Sequence, residues 1–156
     1  TGSKRDALLG ANVPQPDFAT VSGELALMHE AIAERLLLSS HDISEGGLLM
    51  ALFEMTLPQR NRGGSRGLNI TLSSNNSVET ADTLLLSETG GFLVEIEPGH
   101  ADAFEKVAQK HGIEPIMIGK TTDEPTINIE IDSKFMFSEP IHELITIWDA
   151  GLKTAW

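Results

Sequence analysis

The chain has 156 residues, 40% of them hydrophobic, enough for one globular domain with its own core. Its 23 acidic residues against 11 Lys and Arg give a formal net charge of -12, which repels a phosphate backbone and an anionic lipid surface and so argues against nucleic acid and membrane as partners. With no cysteine and no tyrosine, disulfides, thiolate catalysis and Cys-ligated zinc are excluded, and acid–base chemistry falls to His, Asp, Glu or Lys. No apolar run has the length of a bilayer span and no signal-peptide core opens the chain, so it reads as cytoplasmic.

Residues 1–20 read as an irregular lead-in, punctuated by Gly2, Gly10, Pro14 and Pro16. A helix is predicted from about Val21 to Leu38. Leu25, Met28, Ile32 and Leu36 form its apolar stripe, with Glu24, Glu30, Glu34 and Arg35 mostly on other faces. Ser39 to Ile43 is extended. Gly47 to Leu57 is a second helix, apolar nearly all round and therefore buried, with Pro58 to stop it. Gln59 to Gly67 is a loop, and Leu68 to Leu72 alternates as a strand. Ser73 to Ser77 is a turn rich in capping residues, with a short helix before Leu84.

Phe92 to Ile96 is a strand. A helix follows Pro98 and Gly99, with Ala101, Phe104, Val107 and Ala108 on one face and Gly112 closing it. Ile113 to Gly119 reads as a further strand. Phe92 to Ile118 is then a strand–helix–strand unit, parallel and right-handed if both strands share a sheet. Thr126 to Ile131 alternates strictly, with Ile127, Ile129 and Ile131 on one side; Lys134 to Phe137 is a short strand. The last helix starts near Pro140 and carries Ile141, Leu144, Ile145, Trp148 and Leu152 on its apolar stripe. With no repeat, low-complexity tract or long linker, residues 1–156 are expected to form one α/β (α+β) domain, a mixed sheet packed with helices.

Three stretches carry candidate chemistry. In "HDISEGGLLMALFEM", starting at His41, an extended segment turns through Gly46 and Gly47 into a buried helix. The first N–H groups of a helix lack partners, and glycines let a ligand come close to them. The helix dipole adds about 0.3–1 kcal/mol for an exposed anion and up to about 2 when partly buried. Phosphate or carboxylate fits such a corner, with Ser44 donating a hydroxyl and His41 donating or accepting. The same residues also have a structural reading: Ser44 as N-cap, the glycines for tight packing, His41 as a satisfied, partly buried ring. His41 and Asp42, adjacent in an extended segment, point to opposite sides and do not make a dyad by adjacency.

The second stretch is the loop with Arg60, Arg62 and Arg66, either an anion grip or a solvated loop. The third is Ser87, Glu88 and Thr89 followed by Gly90 and Gly91. There Glu88 is a substrate or metal contact, or part of a polar turn entering a strand. His29, His100, His111 and His142 lack metal-ligand spacing and read as structural or solvated, so no metal site is predicted. No Walker loop, nucleophile elbow or triad can be assembled.

"SSHDISEGGLLMALFEM" resembles the His-Asp-x-Ser-Glu/Asp-Gly-Gly-Leu signature of the AIR-synthase-related C-terminal domain. Aminoimidazole ribonucleotide synthase, phosphoribosylformylglycinamidine synthase, selenophosphate synthetase and a hydrogenase maturation protein share that domain. Ser44 and Glu45 are most similar to the phosphoribosylformylglycinamidine synthase branch. "PQPD" before the first helix, "LSE" ahead of a strand, "IGKTT" (Ile118 to Thr122) and a closing helix with Trp148 agree, so the resemblance covers nearly the whole chain.

The resemblance implies an AIR-synthase C-terminal-domain-like fold and an ATP-dependent carbon–nitrogen ligase that needs Mg²⁺ and takes ammonia from glutamine. It implies as partners N-terminal ATP-binding-type domains of the same chain, a glutaminase subunit, a small accessory subunit and the ribonucleotide substrate. Residues 1–156 correspond to the last domain copy of such a chain, with most metal and nucleotide ligands elsewhere. The piece alone is then expected to be inactive and to bind no cofactor tightly. The implied substrate- and phosphate-binding candidates are His41, Asp42, Ser44, Glu45, Gly46, Gly47, Ser87 and Glu88. Family members often carry an arginine before the strand that follows "LSE". Here "SETGGF" has none, so Arg66 of "GGSRG" is the candidate to compensate. Two other expectations stand beside this one: a domain of a sibling ATP-dependent enzyme such as aminoimidazole ribonucleotide synthase, and a non-catalytic scaffold that docks partners through its acidic surface.

Overall fold

The structure, a computed structural model, describes residues 17–57, 66–74 and 81–154. The lead-in before Asp17, the helix stop at Pro58, Arg60, Arg62 and Trp156 lie outside the described residues.

Helix α1 (Phe18–Ala33) starts earlier than its apolar periodicity predicts because Asp17 caps it. One Asp17 carboxylate oxygen accepts the Ala19 N–H at 3.1 Å and the other the Thr20 hydroxyl at 2.7 Å. The helix also ends early, and Arg35 turns the chain with a φ of 58°. The buried face is rotated from the predicted stripe: Leu27, Met28 and Ala31 are inside, while Leu25 and Ile32 are 55% and 59% exposed. Close approach selects this face, for a Cβ on Gly23 would press on the His111 carbonyl.

Strand β1 (Leu37–Asp42) leads through the glycine turn to α2 (Gly47–Thr56), and β2 is Gly67–Leu72. The short helix α3 (Ala81–Leu86) precedes β3 (Phe92–Ile96); a 3-10 turn, Pro98–His100, opens α4 (Ala101–Lys110). β4 (Gly119–Thr122), β5 (Thr126–Ile131), β6 (Lys134–Pro140) and α5 (Ile141–Thr154) complete the order. Among the described residues β1 and β3 form an antiparallel ribbon, and the other strands a sheet in the order β4-β2-β5-β6. In that sheet β2 and β5 run parallel and the other pairs antiparallel, so the expected mixed sheet is present.

The predicted strand over Ile113 to Gly119 is not formed; β4 begins at Gly119 instead. Pro115 has no N–H for a ladder, and Ile116 and Met117 are 78% and 88% exposed, with no apolar face to satisfy. β3 and β4 belong to different sheets, so the expected parallel crossover from Phe92 to Ile118 is absent.

The larger core lies on one face of the four-stranded sheet. Leu68, Ile70 and Leu72 of β2 and Ile127, Ile129 and Ile131 of β5 pack against Leu52 and Phe53 of α2 and Ile141 of α5. Each fully buried aliphatic side chain there contributes about 1.5–3 kcal/mol. A smaller core joins Leu27, Ala31 and Leu36 to Phe104, Val107 and Ala108 of α4. The β1–β3 ribbon touches both: Leu37, Val94 and Ile96 pack on the smaller core and Leu93 on the larger. Its β1 strand therefore reaches the start of α2 on a supported frame.

Candidate functional site

The corner where β1 passes into α2 gathers most of the candidate residues. Pairing of β1 with β3 sets Asp42 opposite Phe92 and His41 opposite Leu93, and the Ile43 N–H extends it to the Gly91 carbonyl at 2.9 Å. Gly46 (φ 81°) and Gly47 (φ 66°) then reverse the chain in the left-handed region, open to glycine at little cost. A Cβ on Gly47 would lie 2.7 Å from the Leu85 carbonyl oxygen and 2.9 Å from the Leu86 Cα. α2 and α3 thus meet backbone to backbone at this glycine.

The amides at this corner are not bare, contrary to the sequence picture. The Gly46 N–H donates to Oε1 of Glu88 at 2.8 Å, and the Gly47 N–H to the Ser44 carbonyl at 3.0 Å. Glu88 is therefore held as an internal anion at the entry to α2, where the sequence suggested a ligand contact. Ser44 is exposed and makes no capping bond, since the N-cap is Gly46 with no side-chain cap. Glu45 is exposed on the same turn, and Ser87 is half-buried beside Glu88.

His41 is held from both sides of its ring. Nδ1 lies 2.7 Å from the Asp42 carbonyl oxygen, and Nε2 lies 3.3 Å from Oε2 of Glu54. The Asp42 carboxylate stands farther off, at 3.7 Å from Nδ1. Both His41 and Glu54 side chains are only 27% exposed. Sequence reasoning passed over Glu54, although it is the one charged residue in the apolar run Gly47 to Thr56. A lone acid on a buried helix signals a partner.

Arg66 is not brought to this corner by any described contact. It precedes β2 and donates to Oδ1 of Asp123 at 3.2 Å, an exposed pair at the turn between β4 and β5. His111 makes a structural contact, with Nε2 2.7 Å from Glu30. Among the described residues no group of three or more His, Asp or Glu could hold a metal ion, and no helix is long and apolar enough to cross a membrane. The corner can offer a hydroxyl, an imidazole and carboxylates; an incoming anion gains the Gly46 N–H only by displacing Glu88.

A protein-family model described as "AIR synthase related protein, C-terminal domain" matches residues 2–132. Phosphoribosylformylglycinamidine synthase subunit PurL of Methanothrix thermoacetophila is 29% identical over 148 residues, 94% of this chain and 18% of that protein. The subunit of the same name in Cutibacterium acnes is 31% identical, again over 94% of this chain and 18% of its own length. The chain thus spans about a fifth of these relatives. Among solved structures, that of PurLQS from Thermotoga maritima superimposes with a TM-score of 0.71 at 19% identity, covering 88% of this chain and 23% of that one. At that identity the likeness speaks for the fold.

Proposed function

This chain belongs to the AIR synthase related protein, C-terminal domain family, and on that premise we propose that it serves as one domain of a phosphoribosylformylglycinamidine synthase. The observation that carries the reading is the family match over residues 2–132, which contains the whole His41–Gly47 corner, joined by relatives named as subunits of that synthase. The complete enzyme acts in the cytoplasm, and this domain alone turns over nothing.

The reaction is an ATP-dependent ligation in purine synthesis. The γ-phosphoryl group of ATP passes to the amide oxygen of formylglycinamide ribonucleotide. Ammonia released from glutamine attacks the activated carbon, the carbon–oxygen bond breaks, and phosphate leaves with that oxygen. The products are the amidine, ADP and phosphate. In this reading the other domains of the same polypeptide, a glutaminase and a small accessory subunit complete the enzyme; a solved structure titled PurLQS, of a chain with this fold, supports such an assembly.

ATP also belongs to the reading, supported by a Thermotoga maritima PurL structure titled as its ATP complex. The described residues do not fit a metal, since no cluster of acids or histidines is arranged for one, so no step is routed through Mg²⁺ here. What this domain contributes is a wall: Gly46 and Gly47 turn the chain into α2, Ser44 offers a hydroxyl, and His41, Asp42, Glu45, Ser87 and Glu88 line the same corner. Arg66, paired with Asp123, stands outside it.

The test is reconstitution. The chain is expressed within its complete polypeptide, with a glutaminase subunit, and amidine formation from formylglycinamide ribonucleotide is followed with ATP and glutamine. ATP-dependent product from the whole and none from residues 1–156 is the expected result; no product from the whole sinks the reading.

A further inference from the structure

We propose that Glu54 is the positioning residue of His41, setting the orientation and proton placement of the one imidazole at the β1–α2 corner. The inference deepens the site just proposed and rests on it only for the ring's use in catalysis.

Two contacts carry the argument. The Asp42 carbonyl, 2.7 Å from Nδ1, can only accept, so Nδ1 carries hydrogen. The Glu54 carboxylate, 3.3 Å from Nε2, faces the other nitrogen at ion-pair distance. Together the two contacts fix the ring between the Asp42 carbonyl and the Glu54 carboxylate. Turning the ring over would set a carbon where each contact now stands. The arrangement therefore selects one ring orientation.

The neighbouring groups do not substitute for Glu54. Asp42 presents its carboxylate to Nδ1, not Nε2, at 3.7 Å. Leu93 lies opposite His41 on β3, Glu95 is engaged by the Ser39 hydroxyl at 3.0 Å, and Glu88 is engaged by the Gly46 N–H. Glu54 sits two turns into α2, behind the glycine turn, with its side chain mostly buried.

The test reads the ring itself. In ¹⁵N-labelled protein at neutral pH, long-range proton–nitrogen correlations report which His41 nitrogens carry hydrogen. Glu54→Gln keeps the volume but removes the charge that faces Nε2. The expected result is a changed pattern of the two His41 nitrogen resonances, with the other four histidines unmoved. Glu54→Asp keeps the charge but shortens the reach and gives a partial shift. It stands in should the glutamine variant not fold. An unchanged His41 pattern in a folded variant, with or without a lowered melting temperature, makes the pair merely structural and overturns the proposal. No substrate enters this measurement, so it is independent of the enzyme assignment. If the ring shifts but kcat in the complete synthase is unaltered, the site reading falls and the positioning contact stands.

Discussion

Glu88 closes over Gly46: its Oε1 accepts the Gly46 N–H at 2.8 Å across 42 residues of sequence. This contact ties the turn before β3 to the entry of α2 and fills the place a bound anion would take. Replacing Glu88 by Ala frees that N–H to water. The loss expected in urea unfolding is about 0.5–1 kcal/mol at so exposed a position, and less for Glu88→Gln, which keeps an acceptor. If the corner takes anions, inorganic phosphate should move the Gly46 amide resonance further in Glu88→Ala than in the parent protein. No movement in either removes the anion reading.

The two glycines beside it are not equivalent. Both need positive φ, which costs any side chain about 1–2 kcal/mol. At Gly46 the nearest obstacle is the Met50 Cβ at 2.8 Å, a single side-chain atom one turn along α2. At Gly47 it is the backbone of Leu85 and Leu86, which cannot shift without parting α2 from α3. Gly47→Ala, which meets three backbone atoms, is therefore expected to cost about 2–4 kcal/mol and Gly46→Ala less, though more than the about 1–2 kcal/mol of positive φ alone. Equal losses in a denaturant titration would refute this account of the helix contact.

What was legible in the chain follows from how local the cause is. Thr126–Ile131 alternates, and its isoleucines are the buried ones, because one covered sheet face imposes a period of two on the sequence itself. The glycine turn into α2 was legible for the same reason, since both glycines adopt positive φ within four residues of Ile43. Glu88 as the cap of Gly46 was not legible: its partner arrives from a turn 42 residues away, and nothing near Ser44 announces it. The face of α1 was misjudged because side-chain size outranked hydrophobicity there. Ala31 and Gly23 go toward α4 since only small residues admit it so close, leaving Leu25 and Ile32 outside. Glu54 was within reach of the sequence as a lone charge on an apolar helix, but its partner His41 could be assigned only in three dimensions.

Acid should loosen the join between α1 and α4. Lys110 first, and then His111, hold the Glu30 carboxyl below its ordinary range through hydrogen bonds. A carboxyl depressed in the folded state contributes stability above its unfolded pKa and loses it as pH falls through the folded one. Stability measured against pH should therefore fall on the acid side in the parent protein, with a shallower fall in Glu30→Gln. Asp17 and Asp132 are depressed as well, so the variant retains part of the slope. Identical slopes would remove Glu30 from the account.

The hairpin between β5 and β6 offers a stabilising change. Asp132 and Ser133 form its tip with φ of 51° and 60°, both left-handed, with no glycine at either position. Such a two-residue turn favours Asp-Gly or Asn-Gly, whose second residue is free of Cβ strain. Asp132 has a reason to stay: its carboxylate accepts the Ser74 N–H at 2.9 Å and the Ser74 hydroxyl at 2.6 Å, pinning the tip to the end of β2. No hydrogen bond is described for the Ser133 side chain. Ser133→Gly relieves about 1–2 kcal/mol of backbone strain and gives back about 0.4–1 in unfolded-chain entropy. The net gain is about 0–1.6 kcal/mol, centred on about 0.8, a rise in melting temperature of about 2–3 °C at that centre for a chain of this size. Asp132→Gly gains the same relief but forfeits both Ser74 contacts, so it should not stabilise. The glycine at 133 lowering the melting temperature would mean that the strain assigned to the tip is absent.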